Sequence, residues 1–259
     1  MPRKLLYGIS TIIILISVFL VSYYLLQKLN QTPEGLKAAI VDQLSIEQDF
    51  ANATFVNSAT SLLRSAGYSV ETFSGQEVDV RFYEDLSSRG FGVVILRVHS
   101  TVRQGSEYVD FFTSERYVEG KYAELGDQIS RASFFNRTEE YFAIGPTFVR
   151  QSMKGSFAGA TIILMGCSGL NYTTMAEELY RKGARVAIGW TNLVMPSETD
   201  HYVTLLLQYL LNQSKQDTVK EAVNKINSQL WARPTRYGSL LTYFPNDAGS
   251  YIVPLRKES

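Results

Sequence analysis

Short apolar runs alternate along this chain with longer stretches in which apolar residues recur every three or four positions. The runs LKAAIVDQL around Ala39, YSVETF (68–73), GVVILRV (92–98), ATIILMG (160–166) and ARVAIGW (184–190) read as strands. GVVILRV is nearly continuous in apolar residues between turn signals, as suits a strand buried on both faces. Phe55, Ala59, Leu62 and Leu63 have helical spacing and predict a helix from Asn52 to Ala66, closed at Gly67. VRFYEDLSSRG (80–90) reads as a short helix or turn. A further helix opens at Thr174, three residues before Glu177, and stops at Gly183; two more follow Pro196, as YVTLLLQYLL (202–211) and from Asp217 to Asn227. Strands alternating with helices pair in parallel through right-handed crossovers, so the fold class is α/β in three layers. Residues 101–157 break the alternation: EYVDFFTSERYVEGKY and YFAIGPTFV predict an antiparallel hairpin insertion. The aromatic stretch after Trp231 reads as a hairpin or edge strand.

The N-terminus carries a different pattern. Leu5 to Leu26 is 22 residues without a charge, which as a helix spans roughly 33 Å, the hydrocarbon core of a bilayer. Its exit, Tyr23 to Lys28, lacks the small residues of a signal-peptidase site, so the segment reads as one uncleaved transmembrane signal anchor. Arg3 and Lys4 before it would stay cytoplasmic and leave the rest extracytoplasmic, in a single-pass topology. The chain divides into a cytoplasmic N-terminus (1–4), the anchor in the lipid bilayer (5–26), a polar stalk (27–36) and one folded domain (37–259). Asn-x-Ser/Thr sequons at Asn30, Asn52, Asn136, Asn171 and Asn212 fit an exported glycoprotein.

Composition narrows the classes of function. Lys and Arg number 25 against 25 Asp and Glu, so no overall field draws nucleic acid, which is not expected as a partner. One cysteine cannot form an internal disulfide, and with two histidines it is a thin supply for a metal site; no metal and no cofactor are expected. Candidate chemistry lies at two strand ends, where GVVILRV runs into His99 and ATIILMG into Cys167. Ligands bind beyond the carboxyl ends of strands in an open parallel sheet. Were the two strands neighbours, imidazole and sulfur would share one crevice, and a histidine can take the thiol proton and later protonate a leaving group. Gly166 and Gly169 bracket Cys167 and allow a tight turn whose N–H groups can meet an oxyanion. Taken singly, a cysteine ending an apolar strand is a small buried hydrophobe, and a histidine there caps a turn. His201, near the start of a helix, reads as exposed.

VVILRVHS and the stretch TIILMGCSGLNYTTMAEELYRKGARVAIGWTNLVMPSETDHYVTLLLQYLL resemble the caspase-like superfamily of cysteine peptidases, in pattern most of all its CHAT and gingipain-type domains. The resemblance covers roughly residues 37–230. It implies a three-layer caspase-like fold with a mostly parallel central sheet. It further implies Cys167 as nucleophile and His99 as general acid/base, with an oxyanion hole from the backbone N–H groups of Cys167 and Ser100. The segment Trp190–Met195 would line the substrate cleft, Trp190 and Thr191 included, although core packing is the ordinary reading of the tryptophan. Ser100 stands where most active members have glycine. Met165 stands where metacaspases carry an aspartate, which leaves Asp110, Glu115 or Asp200 to supply a carboxylate, Asp200 at the cleft. The expected activity is hydrolysis of a peptide or protein substrate; the alternative is a caspase-fold scaffold without activity.

Overall fold

The first apolar run folds as β1 (Lys37–Asp42), with Ala38, Ala39, Ile40 and Val41 fully buried. The structure, a computed structural model, describes residues 36–134 and 137–256. The proposed anchor and nearly all of the stalk lie outside those residues; among the described residues no helix is long and apolar enough to cross a membrane. Leu36, assigned to the stalk, already belongs to the folded unit, its carbonyl accepting from Ser69 N–H at 2.7 Å.

Next comes α1 (Ala53–Ser65), which starts where Asn52 Oδ1 accepts the Phe55 N–H at 3.0 Å and buries Phe55, Ala59 and Leu63. β2 (Ser69–Ser74), α2 (Val80–Asp85) and β3 (Val93–Arg97) follow, β3 being buried at every position. After β4 (Ser100–Val102), β5 (Val109–Arg116), β6 (Ile129–Ser133), β7 (Glu140–Ile144) and α3 (Pro146–Gln151), the alternation resumes. It continues with β8 (Thr161–Leu164), α4 (Thr174–Arg181), β9 (Val186–Trp190), α5 (Pro196–Leu210), α6 (Val219–Ala232) and β10 (Leu241–Phe244).

The central sheet has the order β10-β9-β8-β3-β1-β2, parallel throughout except for β10, which runs antiparallel to β9 on the edge. Side chains alternate across it. Ile40, Ile95, Ile163 and Ile188 pack under α1, α5 and α6; Val41, Val94, Ile162 and Ala187 pack on the other face with α2, α3 and α4. Helices therefore cover both faces, as an all-apolar parallel sheet requires.

Two expectations change. The insertion is a four-stranded antiparallel sheet, order β4-β5-β7-β6, rather than a hairpin. Its Phe111, Phe142 and Ile144 join the core of the second face, while Phe112, Tyr141 and Ala143 form a smaller cluster with Phe134 on its far side. Having both faces in contact gives these strands more apolar positions than the alternation of a half-exposed hairpin. PTFV, read as strand, is the start of α3, because Pro146 at the first helical position has its φ preset and no N–H to lose.

Candidate active site

β3 and β8 are hydrogen-bonded neighbours, with Leu96 opposite Leu164 and Met165 N–H donating to Leu96 O at 3.0 Å. His99 lies two residues past the end of β3 and Cys167 three past the end of β8. The connection is direct: Ser100 Oγ donates to the Cys167 carbonyl at 2.6 Å. A Cβ on Gly166 would overlap the Ser100 hydroxyl and the Val98 carbonyl, so only glycine lets the cysteine turn approach this closely. Val93 and Ile95 of β3, with Ile163 of β8 and Met165 just after it, pack on the face of the sheet covered by α1 and α5. Both half-buried residues thus stand just beyond the carboxyl ends of adjacent strands.

The cysteine turn is held by main-chain bonds. Ser168 N–H donates to Asn192 O and Leu170 N–H to Trp190 O, each at 2.9 Å. Ser168 takes φ 55°, a left-handed conformation that costs a non-glycine residue about 1–3 kcal/mol and tends to persist where surrounding structure demands it. The sulfur lies 3.5 Å from the Val194 carbonyl, a weak thiol donor contact. Burial pushes the Cys167 thiol pKa up, offset only in part by the main chain at Val194 and at Cys167 itself.

Side chains surround the histidine instead. Its imidazole is flanked by Phe134, Phe50 and Phe112 at centroid distances of 4.3, 5.4 and 5.7 Å. Nε2 is enclosed and has no hydrogen-bond partner. The His99 N–H is fixed by Gln43 Oε1 at 2.9 Å. Burial, and secondarily the Arg97 charge, lower the His99 pKa to about 4. At neutral pH Cys167 is therefore a thiol and His99 an uncharged imidazole. No hydrogen bond joins Cys167 to His99 among the described residues.

Ser100 also bears on oxyanion binding. Phe112 N–H donates to His99 O at 2.9 Å, and Ser100 lies opposite Phe111. In an antiparallel ladder such pairs alternate, so the Ser100 N–H points away from β5, outside the ladder.

Other predicted positions fare differently. Trp190 does not line a cleft: it is fully buried, and its Nε1–H donates to Thr199 Oγ1 at 2.8 Å. Thr191 is half-buried and paired through its main chain and hydroxyl with Leu240. Asp200 does not offer a carboxylate to substrate, because it is buried and accepts from Arg97 Nε and Nη2, each at 2.8 Å. Asp110 is buried against Arg103 and Ser130, and Glu115 contacts Lys121 and Tyr122. Met165 is buried, and His201 is exposed. Of the sequons, Asn52 has its side chain engaged by α1 and Asp200, Asn171 and Asn212 are exposed, and Asn30 and Asn136 lie outside the described residues.

Arg97 is the feature that sequence reasoning passed over. Fully buried at the end of β3, it bonds Asp42 at 2.7 Å, Asp200, and the Phe50 carbonyl at 2.7 Å. It ties β1, β3, the approach to α1 and the first turns of α5 together two residues before His99. Burial raises the Asp42 pKa, with Arg97 acting in the opposite direction. An arginine inside an otherwise apolar strand was the available signal, since such a charge is buried only when paired. No family model and no curated protein matches this chain.

Proposed function

We propose that this chain is a cysteine peptidase of caspase-like type, its domain held outside the cytoplasm by the apolar segment 5–26. One observation supports the reading: the strands that precede His99 and the only cysteine are adjacent and parallel, and the Ser100 hydroxyl bonds the Cys167 carbonyl. The Cys167 thiol would give its proton to His99 as its sulfur attacks a substrate carbonyl. The Ser100 and Cys167 N–H groups would receive the oxyanion. Collapse of the intermediate breaks the peptide C–N bond, and the imidazolium returns the proton to the departing amine. Water activated by His99 then releases the acid and restores the thiol. Because both groups rest uncharged, proton transfer accompanies attack rather than preceding it.

Occupation of Asp110, Glu115 and Asp200 by their own partners argues against a preference for basic side chains resting on those three residues. A second reading, a caspase-fold scaffold without activity, is favoured by the raised thiol pKa and by the sulfur lying against the Val194 carbonyl. Alkylation with a peptidyl chloromethyl ketone separates the two. Modification of Cys167 that is lost in His99→Ala supports the peptidase, whereas a thiol inert in the folded protein and reactive only in denaturant supports the scaffold.

A further inference from the structure

The parallel strands of the central sheet begin along the edge opposite His99 and Cys167, where main-chain bonds line up their starts. Ser69 N–H donates to Leu36 O at 2.7 Å, Gly92 N–H to Lys37 O at 2.8 Å, Thr161 N–H to Gly92 O at 2.9 Å and Arg185 N–H to Ala160 O at 2.8 Å. The last described residues return to this edge: the Tyr68 hydroxyl donates to Pro254 O at 2.5 Å, and Arg256 N–H to Ala66 O at 3.1 Å. Basic side chains collect here. Lys37 opens β1, Arg185 precedes β9, and Lys37 Nζ donates to the Arg89 carbonyl at 3.3 Å. Arg64 lies in the last turn of α1, Lys182 follows α4, and Arg256 packs so closely on Gly67 that a Cβ there would overlap it. Among the described residues, only Lys37 of these six has a carboxylate partner, Glu71 at 3.5 Å. The Arg89 and Arg185 guanidinium groups lie over the Phe73 and Tyr251 rings, at 4.9 and 5.5 Å, contacts that leave their charge uncancelled. Arg64 and Lys182 also complement the carboxyl ends of their helices. Lys37, Arg185 and Arg256 stand on no helix, so helix ends do not account for the collection. Of the carboxylates near this edge, Glu84 and Asp85 are taken up by Lys154, and the exposed Glu221 and Asp247 belong to the α6 and β10 end, across the sheet from Arg64 and Arg256.

We infer that this basic edge binds the anionic headgroups of the bilayer in which residues 5–26 are anchored. The chain enters the described domain at Leu36, on the same edge, and residues 27–35 between anchor and domain reach at most about 36 Å. A tether of that length holds the edge at high effective concentration over the lipid. Each Lys or Arg close to an anionic surface then strengthens attachment about fivefold. Docking through this edge leaves the carboxyl ends of the strands, and with them His99 and Cys167, turned toward solvent. The tether rests on the anchor reading given above; the charge of the edge does not, and neither depends on peptidase activity.

The test assembles the full chain with nanodiscs of phosphatidylcholine alone or with about one third phosphatidylglycerol, and labels lysines with an amine-acetylating reagent read by peptide mass spectrometry. Lys37 and Lys182 should label several-fold more slowly in the anionic discs, while Lys121, between β5 and β6, labels equally in both. Raising salt to about 0.5 M, where charges are screened within a few ångströms, should abolish the difference. The double variant Arg64→Glu, Arg256→Glu should abolish it at low salt; should that variant fail to fold, the salt series on the wild type decides. Equal labelling of Lys37 and Lys182 in the two discs overturns the inference, and a difference that survives the salt overturns its electrostatic basis. Flotation scores the anchor separately. A chain retained by neutral discs but labelled equally in both keeps the anchor and loses the inference; one that binds only anionic discs, with Lys37 and Lys182 protected, does the opposite. A chain that binds neither overturns both.

Discussion

The two halves of the candidate site are built by opposite means. The cysteine turn is positioned by backbone: Ser168 and Leu170 bond to the carbonyls of Asn192 and Trp190, Ser100 bonds to the Cys167 carbonyl, and Gly166 removes the side chain that would prevent contact. The histidine is positioned by side chains, with Gln43 on its N–H and aromatic rings about its imidazole. Phe112 and Phe134 belong to the inserted antiparallel sheet or its connections, so the insertion supplies part of the histidine's surroundings and little of the cysteine's. Main-chain bonds tolerate most substitutions of neighbouring side chains, whereas a packed cage is sensitive to each of its members. The difference also sets the electrostatics, since an aromatic cage withholds the proton that a carboxylate would stabilise.

The largest effect is expected at Arg97, whose ion pairs tie β1, β3 and α5 together two residues before His99. Arg97→Leu leaves Asp42 and Asp200 buried without their cation, and removing one partner of such a pair costs about 3–5 kcal/mol. Urea unfolding should show this loss; an unchanged midpoint would mean that the network does not support the fold.

A pH series addresses the histidine half. The unfolded imidazole binds a proton below about pH 6.5, while the folded one resists until about 4. Between those values the unfolded chain carries the extra proton, so stability falls as pH drops through this window, by roughly 3 kcal/mol at pH 4. Asp42, raised by burial, acts in the opposite sense but equally in both proteins compared. His99→Phe, which fits an aromatic surround, should therefore flatten the difference in stability between pH 7 and pH 4 relative to wild type. Equal slopes would show that the cage does not suppress protonation.

On the cysteine half, Gly166→Ala forces a methyl into the Ser100 hydroxyl and the Val98 carbonyl, with an expected cost of about 1–3 kcal/mol. The rate of Cys167 alkylation should change with it. The smallest effect belongs to Ser100→Ala, about 1 kcal/mol for one hydrogen bond. If that variant alters Cys167 alkylation while the titration midpoint of His99 stays as in wild type, the two halves are held independently. A concerted change in both readouts would show the coupling to be stronger than the contacts suggest.

Much of the fold was legible in local pattern. β3, β8 and β9 are apolar runs ended by turn residues, α1 has its Asn52 cap, and the prediction of a strand in the aromatic C-terminal stretch corresponds to β10. The placement of His99 and Cys167 at strand ends follows from the same runs. Periodicity reports which faces are buried without saying what covers them, and the resemblance that puts Trp190 and Asp200 at a cleft does not reveal that Thr199 and Arg97 hold them. The four-stranded form of the insertion was hidden likewise, because its strands are buried on both sides by partners far along the chain.

What the order of residues determined by itself is local: where strands and helices run, where each stops, and which scarce reactive side chains sit at the stops. Tertiary structure alone decided that β8 lies beside β3, that Arg97 finds Asp42 and Asp200, and that rings from three separate segments gather around one imidazole. The physical reason is range. Propensity, capping and alternation act over a few residues, whereas desolvation and charge pairing depend on neighbours that only the folded chain brings within a few ångströms.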